Sequence, residues 1–319
     1  MRAAVMYGAG DVRVEDRPDP KIQQPTDAVV RTLLACVCGS DLWPYRSMAA
    51  TDTGRPMGHE FLGVVEETGA DVSGVKAGDL VVAPFTYCDN TCDRCARGLQ
   101  ISCRHGGRYG FDGVDGGQGE AVRVPQADGT LVELPVTAGV GPGDSVLVIG
   151  DGAVGLCAVI AARRLGAESV TLMGRHTART DLGREFGATD VVAERGEEGI
   201  DRVRELTGGE GVDKVIEAVG TRETLDTAFG TVVDGGTISR LGVPQYEEGP
   251  VGAAMIMRNI TLTGGASPAR AYIEELMPDI LDGTITPGRV FGPSFSIDQI
   301  PDAYRTMNDR QVLKALITL

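Results

Sequence analysis

A chain of 319 residues, 42% hydrophobic and 24% charged, can form one large or two ordinary globular domains with real cores. A formal charge of -15 excludes sequence-blind binding to nucleic acid or to an anionic membrane surface. No apolar run approaches the ~20 residues of a membrane span, and Met1-Arg-Ala-Ala-Val5 lacks a signal-peptide pattern, so a cytoplasmic protein is expected.

From Met1 to Val82, short β-branched runs punctuated by Gly and Pro predict strands, among them 28–34, 61–66 and 79–83. Such spacing predicts an antiparallel, barrel-like domain. Two segments inside it carry chemistry. The first is Cys36-Val-Cys38-Gly-Ser40-Asp41-Leu-Trp43. The second is Gly58-His59-Glu60-Phe61, which holds one of three histidines in the chain. Cys and His are what zinc selects, and an adjacent carboxylate can orient or exchange with a ligand. Taken separately, a lone Cys or His is more often packing than ligand.

The next stretch, residues 88–103, holds Cys88, Cys92, Cys95 and Cys103, four of the seven cysteines. It has little apolar periodicity and cannot bury a core unaided. A structural zinc would hold such a lobe together; a disulfide pair or buried thiols are the alternatives. Clustering in a cytoplasmic chain favours metal. Cys92, Cys95 and Cys103 are the firmer ligands, because three residues, not two, separate Cys88 from Cys92.

Val146-Leu-Val-Ile149 reads as a buried strand that runs into Gly150-Asp-Gly152-Ala-Val-Gly155, with a helix expected from Leu156 to Leu165. Strand, glycine turn and helix N-terminus make a pyrophosphate site. Gly150 serves the turn, Gly152 the close approach of backbone to phosphate, and Gly155 the packing of helix on strand. Strand-like and helix-like segments then alternate to residue 263, predicting a parallel sheet with crossover helices. The second strand chooses the cofactor. An NAD site carries an acid about 20 residues past the glycines, whereas this chain reads Met173-Gly174-Arg175-His176-Thr-Ala-Arg179. Gly174 makes room, and Arg175 and Arg179 offer guanidinium groups to a 2′-phosphate, which predicts NADP over NAD. A solvated basic loop is the plainer reading. After Pro268 a helix and mixed elements are expected to return and complete the first domain.

In order and spacing these motifs resemble the zinc-dependent alcohol dehydrogenases of the medium-chain dehydrogenase/reductase superfamily. The matching residues are Cys38-Gly-Ser-Asp41, Gly58-His-Glu60, Cys92/Cys95/Cys103, Gly150–Gly155, Glu217-Ala-Val-Gly220 and Leu241-Gly-Val-Pro244. The resemblance implies an α/β fold: a doubly wound parallel Rossmann sheet over 136–265, and a GroES-like catalytic domain over 1–135 and 266–319. It implies catalytic-zinc ligands at Cys38 and His59, with Glu60 beside them, Asp41 orienting His59, and Ser40 receiving the substrate proton. A structural zinc would sit on Cys92, Cys95 and Cys103 with Cys88 or Asp89. Gly150, Gly152, Ala153, Val154, Gly155, Gly174, Arg175, His176 and Arg179 would bind the cofactor. Ala218, Val219, Leu241, Gly242 and Val243 would line its nicotinamide end. Zinc would then act as Lewis acid for hydride transfer between a small-molecule alcohol, aldehyde or ketone and NADP. A homo-oligomer, dimer or tetramer, is implied, with residues 256–263 as the edge strand that pairs across it.

Two departures stand out. Trp43 occupies a position where many relatives carry a proton-relaying histidine. The junction from Leu131 to Gly143 omits a stretch that in relatives supplies a third catalytic-zinc ligand. Glu60 is the available substitute. A zinc-independent quinone or enone reductase of the same superfamily, or a shortened chain that binds cofactor without turnover, are the competing expectations.

Overall fold

A computed structural model describes residues 1–111, 113–131, 140–244, 246, 253–265 and 269–319. The chain divides into two units. One is Met1–Val136, Pro268–Asp282 and Gly288–Leu319; the other is Thr137–Ser267 and Gly283–Pro287. The boundary expected at 135/136 and most of the short junction lie outside the described residues, as does residue 266 at the second boundary.

In the first unit the strand Ala28–Cys36 is the hub of a six-stranded sheet. It pairs antiparallel with Phe61–Thr68, Ala121–Val124 and the returning strand Leu316–Thr318. Val30, Phe61, Val122, Tyr304 and Ile317 pack in its core, all buried. Register then assembles the chemistry. Ala35 pairs with Phe61, so the segment after Cys36 and the segment before Phe61 leave the sheet side by side. Cys38 and His59, 21 positions apart in sequence, are thereby neighbours. Leu316, from the far end of the chain, lies opposite Cys36.

The second unit is a parallel sheet of six strands: β1 (Ser145–Ile149), β2 (Ser169–Met173), β3 (Asp190–Val192), β4 (Val212–Glu217), β5 (Val232–Arg240) and β6 (Thr261–Gly264). Their spatial order is β3-β2-β1-β4-β5-β6, which places a topological switch beside β1, where open α/β sheets bind ligands. Val146, Leu147, Val148 and Ile149 are 0% exposed; burial of each such side chain stabilises the sheet by about 1.5–3 kcal/mol. Strands buried on both faces read as continuous apolar runs, which is why this one was visible in the sequence. Helices α1 (Ala153–Arg164) and α2 (Thr177–Glu185) follow the first two strands.

One expectation needs correcting. Residues 256–263 are not one strand: Ala253–Met257 is helical and β6 begins at Thr261. Asn259 adopts a left-handed φ of 50° between them, a conformation that breaks both helix and strand. β6 is at an end of the sheet, bonded to β5. Among the described residues no helix is long and apolar enough to cross a membrane.

Candidate active site

Each glycine of the turn after β1 has a geometric reason. Gly150 sits at φ 118°, and its N–H donates to Met173 O at 2.9 Å, tying the turn to the end of β2. A Cβ at Gly155 would lie 1.8 Å from Gly150 O, so no side chain fits between helix and turn. Gly152 caps α1 and faces open space, with nothing within 4 Å of a built Cβ. This is a cradle with its donors at a helix N-terminus, and it fits a pyrophosphate. Ala153 and Val154 form the first turn of α1, with Val154 54% exposed.

Two backbone segments converge beyond β4 and β5. Gly220, at φ 88°, would place a Cβ 2.2 Å from Val243 O, and a Cβ on Gly242 would fall 2.2 Å from Gly220 N. Only glycines allow Ala218-Val-Gly220 and Leu241-Gly-Val243 to touch. Glu217, 0% exposed, organises both: its Oε1 accepts from Val219 N, Gly220 N and Thr224 Oγ1 at 2.8–2.9 Å. Its carbonyl accepts from Leu241 N and Gly242 N. Val219 and Val243 are left exposed at 37% and 49%, available to a flat ring.

In the first unit, the Cys38 N–H donates to Asp41 Oδ2 at 2.9 Å, closing the turn that carries Ser40. Asp41 is 1% exposed and holds His59 Nδ1 at 3.4 Å from Oδ1. Ser40 Oγ lies 3.3 Å from His59 Nε2. Gly58, at φ 100°, brings this segment against Gln118, whose N would be 2.4 Å from a Cβ. Ligand atoms of Cys38, His59 and Glu60 lie within 4.8 Å of one another. A thiol, an imidazole and a carboxylate in one cluster are a donor set that zinc accepts.

The electrostatics follow from crowding. Burial pushes His59 down, but Cys38 and the Asp41 carboxylate more than reverse this, raising it to about 9. Burial raises the Asp41 carboxyl, partly offset by His59. Glu60 is held below the ordinary carboxylate value: burial works against ionisation, and Lys314 together with the Cys36 thiol overcomes it. Lys314 Nζ and Cys36 Sγ lie 2.7 and 2.9 Å from Glu60 Oε2. Oε1 makes no hydrogen bond among the described residues. Sequence reading missed Lys314, which carries no local motif.

In the cysteine lobe the fourth position has two candidates, Cys88 and Asp89, and the geometry favours Asp89. Cys88 is not part of the cluster: its buried thiol donates to Gly129 O at 3.0 Å. Asp89 joins Cys92, Cys95 and Cys103, with Oδ1 3.1 Å from Cys103 Sγ and 3.6 Å from Cys95 Sγ. The three-residue spacing turns Cys88 into the body of the unit and leaves the next side chain facing the thiols. Cys92 Sγ is 3.5 Å from Cys95 Sγ and 3.9 Å from Cys103 Sγ, and all of these cysteines are free. A tetrahedral zinc with ~2.3 Å bonds spaces its sulfurs about 3.8 Å apart, so this set fits the metal and not a disulfide. Backbone N–H groups of Arg104 and Cys95 pull the Cys92 thiol down to about 6, and His105 Nδ1 sits 2.5 Å from Asp89 Oδ2.

Comparisons with known proteins identify the family. The family described as alcohol dehydrogenase GroES-like domain matches residues 24–136, and the one described as zinc-binding dehydrogenase matches residues 153–282. A zinc-type alcohol dehydrogenase B of Aspergillus flavus is 32% identical, covering 99% of this chain and 81% of its own. That alignment runs over 345 positions, more than the 319 residues of this chain, so the relative carries segments absent here. Among solved structures, the alcohol dehydrogenase TADH from Thermus sp. ATN1 superposes with a TM-score of 0.91 at 33% identity, covering 100% of both chains. A Sinorhizobium meliloti structure bound to NADP does so with a TM-score of 0.83 at 25% identity, covering 100% of this chain and 99% of its own.

Proposed function

The chain belongs to the zinc-binding alcohol dehydrogenase family of the medium-chain dehydrogenase/reductases and is an NAD(P)-dependent oxidoreductase; from that premise we propose that it interconverts a small-molecule alcohol with its aldehyde or ketone, using NADP and two zinc ions. The observation that carries the proposal is the convergence of Cys38, His59 and Glu60 within 4.8 Å, with Ser40 beside His59. Zinc, when bound, supplies Lewis acidity to the substrate oxygen, and the nicotinamide supplies the hydride acceptor.

The chain's own residues do the rest. Asp41 fixes the tautomer and orientation of His59 through Nδ1, leaving Nε2 to the metal side. Ser40 Oγ, 3.3 Å from that Nε2, accepts a hydrogen bond from the substrate hydroxyl and begins proton removal, releasing its own proton toward solvent as it takes the substrate's. Glu60 offers Oε1 as the third protein ligand while Lys314 holds Oε2, which compensates for the short 131–143 junction. Asp89, Cys92, Cys95 and Cys103 hold the second zinc. Gly150, Gly152 and Gly155 cradle the pyrophosphate, and Arg175 and Arg179 favour the 2′-phosphate. Exposed Ile256 and Met257, at 81% and 80%, and the end strand β6 support self-association as a dimer or tetramer.

The test is zinc per chain on protein purified without chelator, read together with NADPH-linked turnover on a panel of alcohols and carbonyls. Near two zinc ions with turnover supports the proposal. Turnover on quinones or enones that survives complete chelation would make it a zinc-independent reductase, a reading that the Glu60–Lys314 pair favours to the extent that it withholds Glu60 from metal.

A further inference from the structure

The residue between the first two glycines of the turn is Asp151, and a glycine fingerprint has no call for a carboxylate there. Asp151 is 6% exposed. Its Oδ2 accepts from the backbone N–H of Arg175 at 3.0 Å and of His176 at 2.9 Å, and it faces His176 Nδ1 at 2.8 Å. Arg179 Nη1 stands 3.9 Å from Oδ1. Burial works against the charge, but His176 and Arg179 outweigh it and hold the carboxyl below its ordinary value. The group is therefore ionised at neutral pH.

Gly174 gives the arrangement its meaning. It follows β2, at the place where an NAD-type site carries its acid. A Cβ added to Gly174 would fall 2.5 Å from Asp151 Cβ and 2.8 Å from Asp151 Oδ2. The acid has not vanished from this corner. It has moved from the end of β2 to the glycine turn and fills the space that a residue-174 side chain would take. Two effects follow. The carboxylate engages His176 and Arg179, leaving Arg175 as the exposed cation with no ion pair among the described residues. It also sets a fixed negative charge beside any phosphate received here.

We infer that Asp151 is a determinant of cofactor choice: its buried carboxylate opposes a 2′-phosphate and engages the side chains that would hold one, so the chain accepts NAD as well as NADP. This rests on the reading of the β2 end as the adenosine-ribose site, and it does not require NADP to be the preferred cofactor. Asp151 acts through charge and through its neighbours, since its own atoms scarcely reach solvent. It is a positioning residue.

The experiment measures dissociation constants for NADPH and NADH by fluorescence titration of the full chain, with wild type, Asp151→Asn and His176→Gln. Turnover is not needed. Asn keeps an acceptor for the two N–H groups and removes the charge. The preference for NADPH over NADH should rise about five- to tenfold in Asp151→Asn. In His176→Gln, where the carboxylate loses a partner, it should fall. Unchanged preference in both variants, or movement of both in one direction, overturns the inference. Should Asp151→Asn fail to fold, the fall in His176→Gln, or its absence, decides alone. Wild type that prefers NADH overturns the NADP assignment, and the opposite shifts of the two variants still test the role of Asp151.

Discussion

Lys314 sets its ammonium 2.7 Å from the carboxylate of Glu60, across 254 positions of chain, and so neutralises the acid next to His59. The pair is largely sheltered, with side-chain exposures of 13% and 33%. Removing one partner of such a pair leaves a charge without compensation. Lys314→Met should destabilise the protein by about 1–3 kcal/mol, below the cost of a fully buried pair because Glu60 is partly wet. The check is denaturant unfolding of Lys314→Met, Glu60→Gln and the double variant. Coupling of the two changes supports the contact, and simple additivity would show that it contributes nothing.

His59→Ala should remove the catalytic zinc and lower alcohol turnover by about 10³-fold, the rate equivalent of several kcal/mol of Lewis-acid stabilisation. NADPH affinity should stay within about twofold of wild type, because the glycine turn belongs to the other unit. Elemental analysis and a nucleotide titration on the same sample read both. Retained turnover after loss of the metal would remove zinc from the mechanism.

In the cysteine lobe, Asp89 and Cys88 make opposite predictions. Asp89→Ala should lose one zinc per chain and release the remaining lobe to proteolysis between residues 88 and 103. Cys88→Ala should keep the zinc and lose only a buried thiol and its bond to Gly129 O. Each is checked by zinc content after dialysis against a mild chelator. Equal zinc loss in both variants would return Cys88 to the ligand set.

Asp213 gives a pH prediction. Its Oδ2 accepts from Ser145 N at 2.9 Å and Ser145 Oγ at 2.5 Å, joining the start of β1 to β4. Partial burial pushes the carboxyl up, and the Ser145 donors more than compensate, so it titrates below its ordinary value. A depressed folded pKa contributes stability that is fully present above the unfolded value of ~3.9 and is lost as pH falls through the folded value. Wild type should therefore exceed Asp213→Asn by about 1 kcal/mol at pH 6, with the gap closing below about pH 4. Thermal midpoints across pH 3–6 measure it; parallel curves would sink the claim.

What the sequence made legible was local. The buried run 146–149 and the glycine turn lie within a dozen residues, and both follow from steric rules that act at that range. Cys38 and His59 were visible as residue types, although their meeting depends on the pairing of Ala35 with Phe61. Partners set by distant register were hidden. Lys314 has no motif around it, and Asp151 gains its partners only where the turn after β2 closes on it. The choice between Cys88 and Asp89 stayed open in the sequence, because the direction of a side chain in an irregular loop is set by the body on which it packs.

The strand Leu316–Thr318 completes the sheet begun by Ala28–Cys36. Ribosomes deliver residues in order, so the second unit is synthesised in full while the first still waits for a strand and for Lys314. The second unit, drawn almost wholly from Thr137–Ser267, can therefore fold early, whereas the first reaches its final sheet only after Leu316–Thr318 is made, through contacts of very large sequence separation. Slow steps in refolding, and capture by chaperones in the cell, should concentrate on the earlier-made half of the protein.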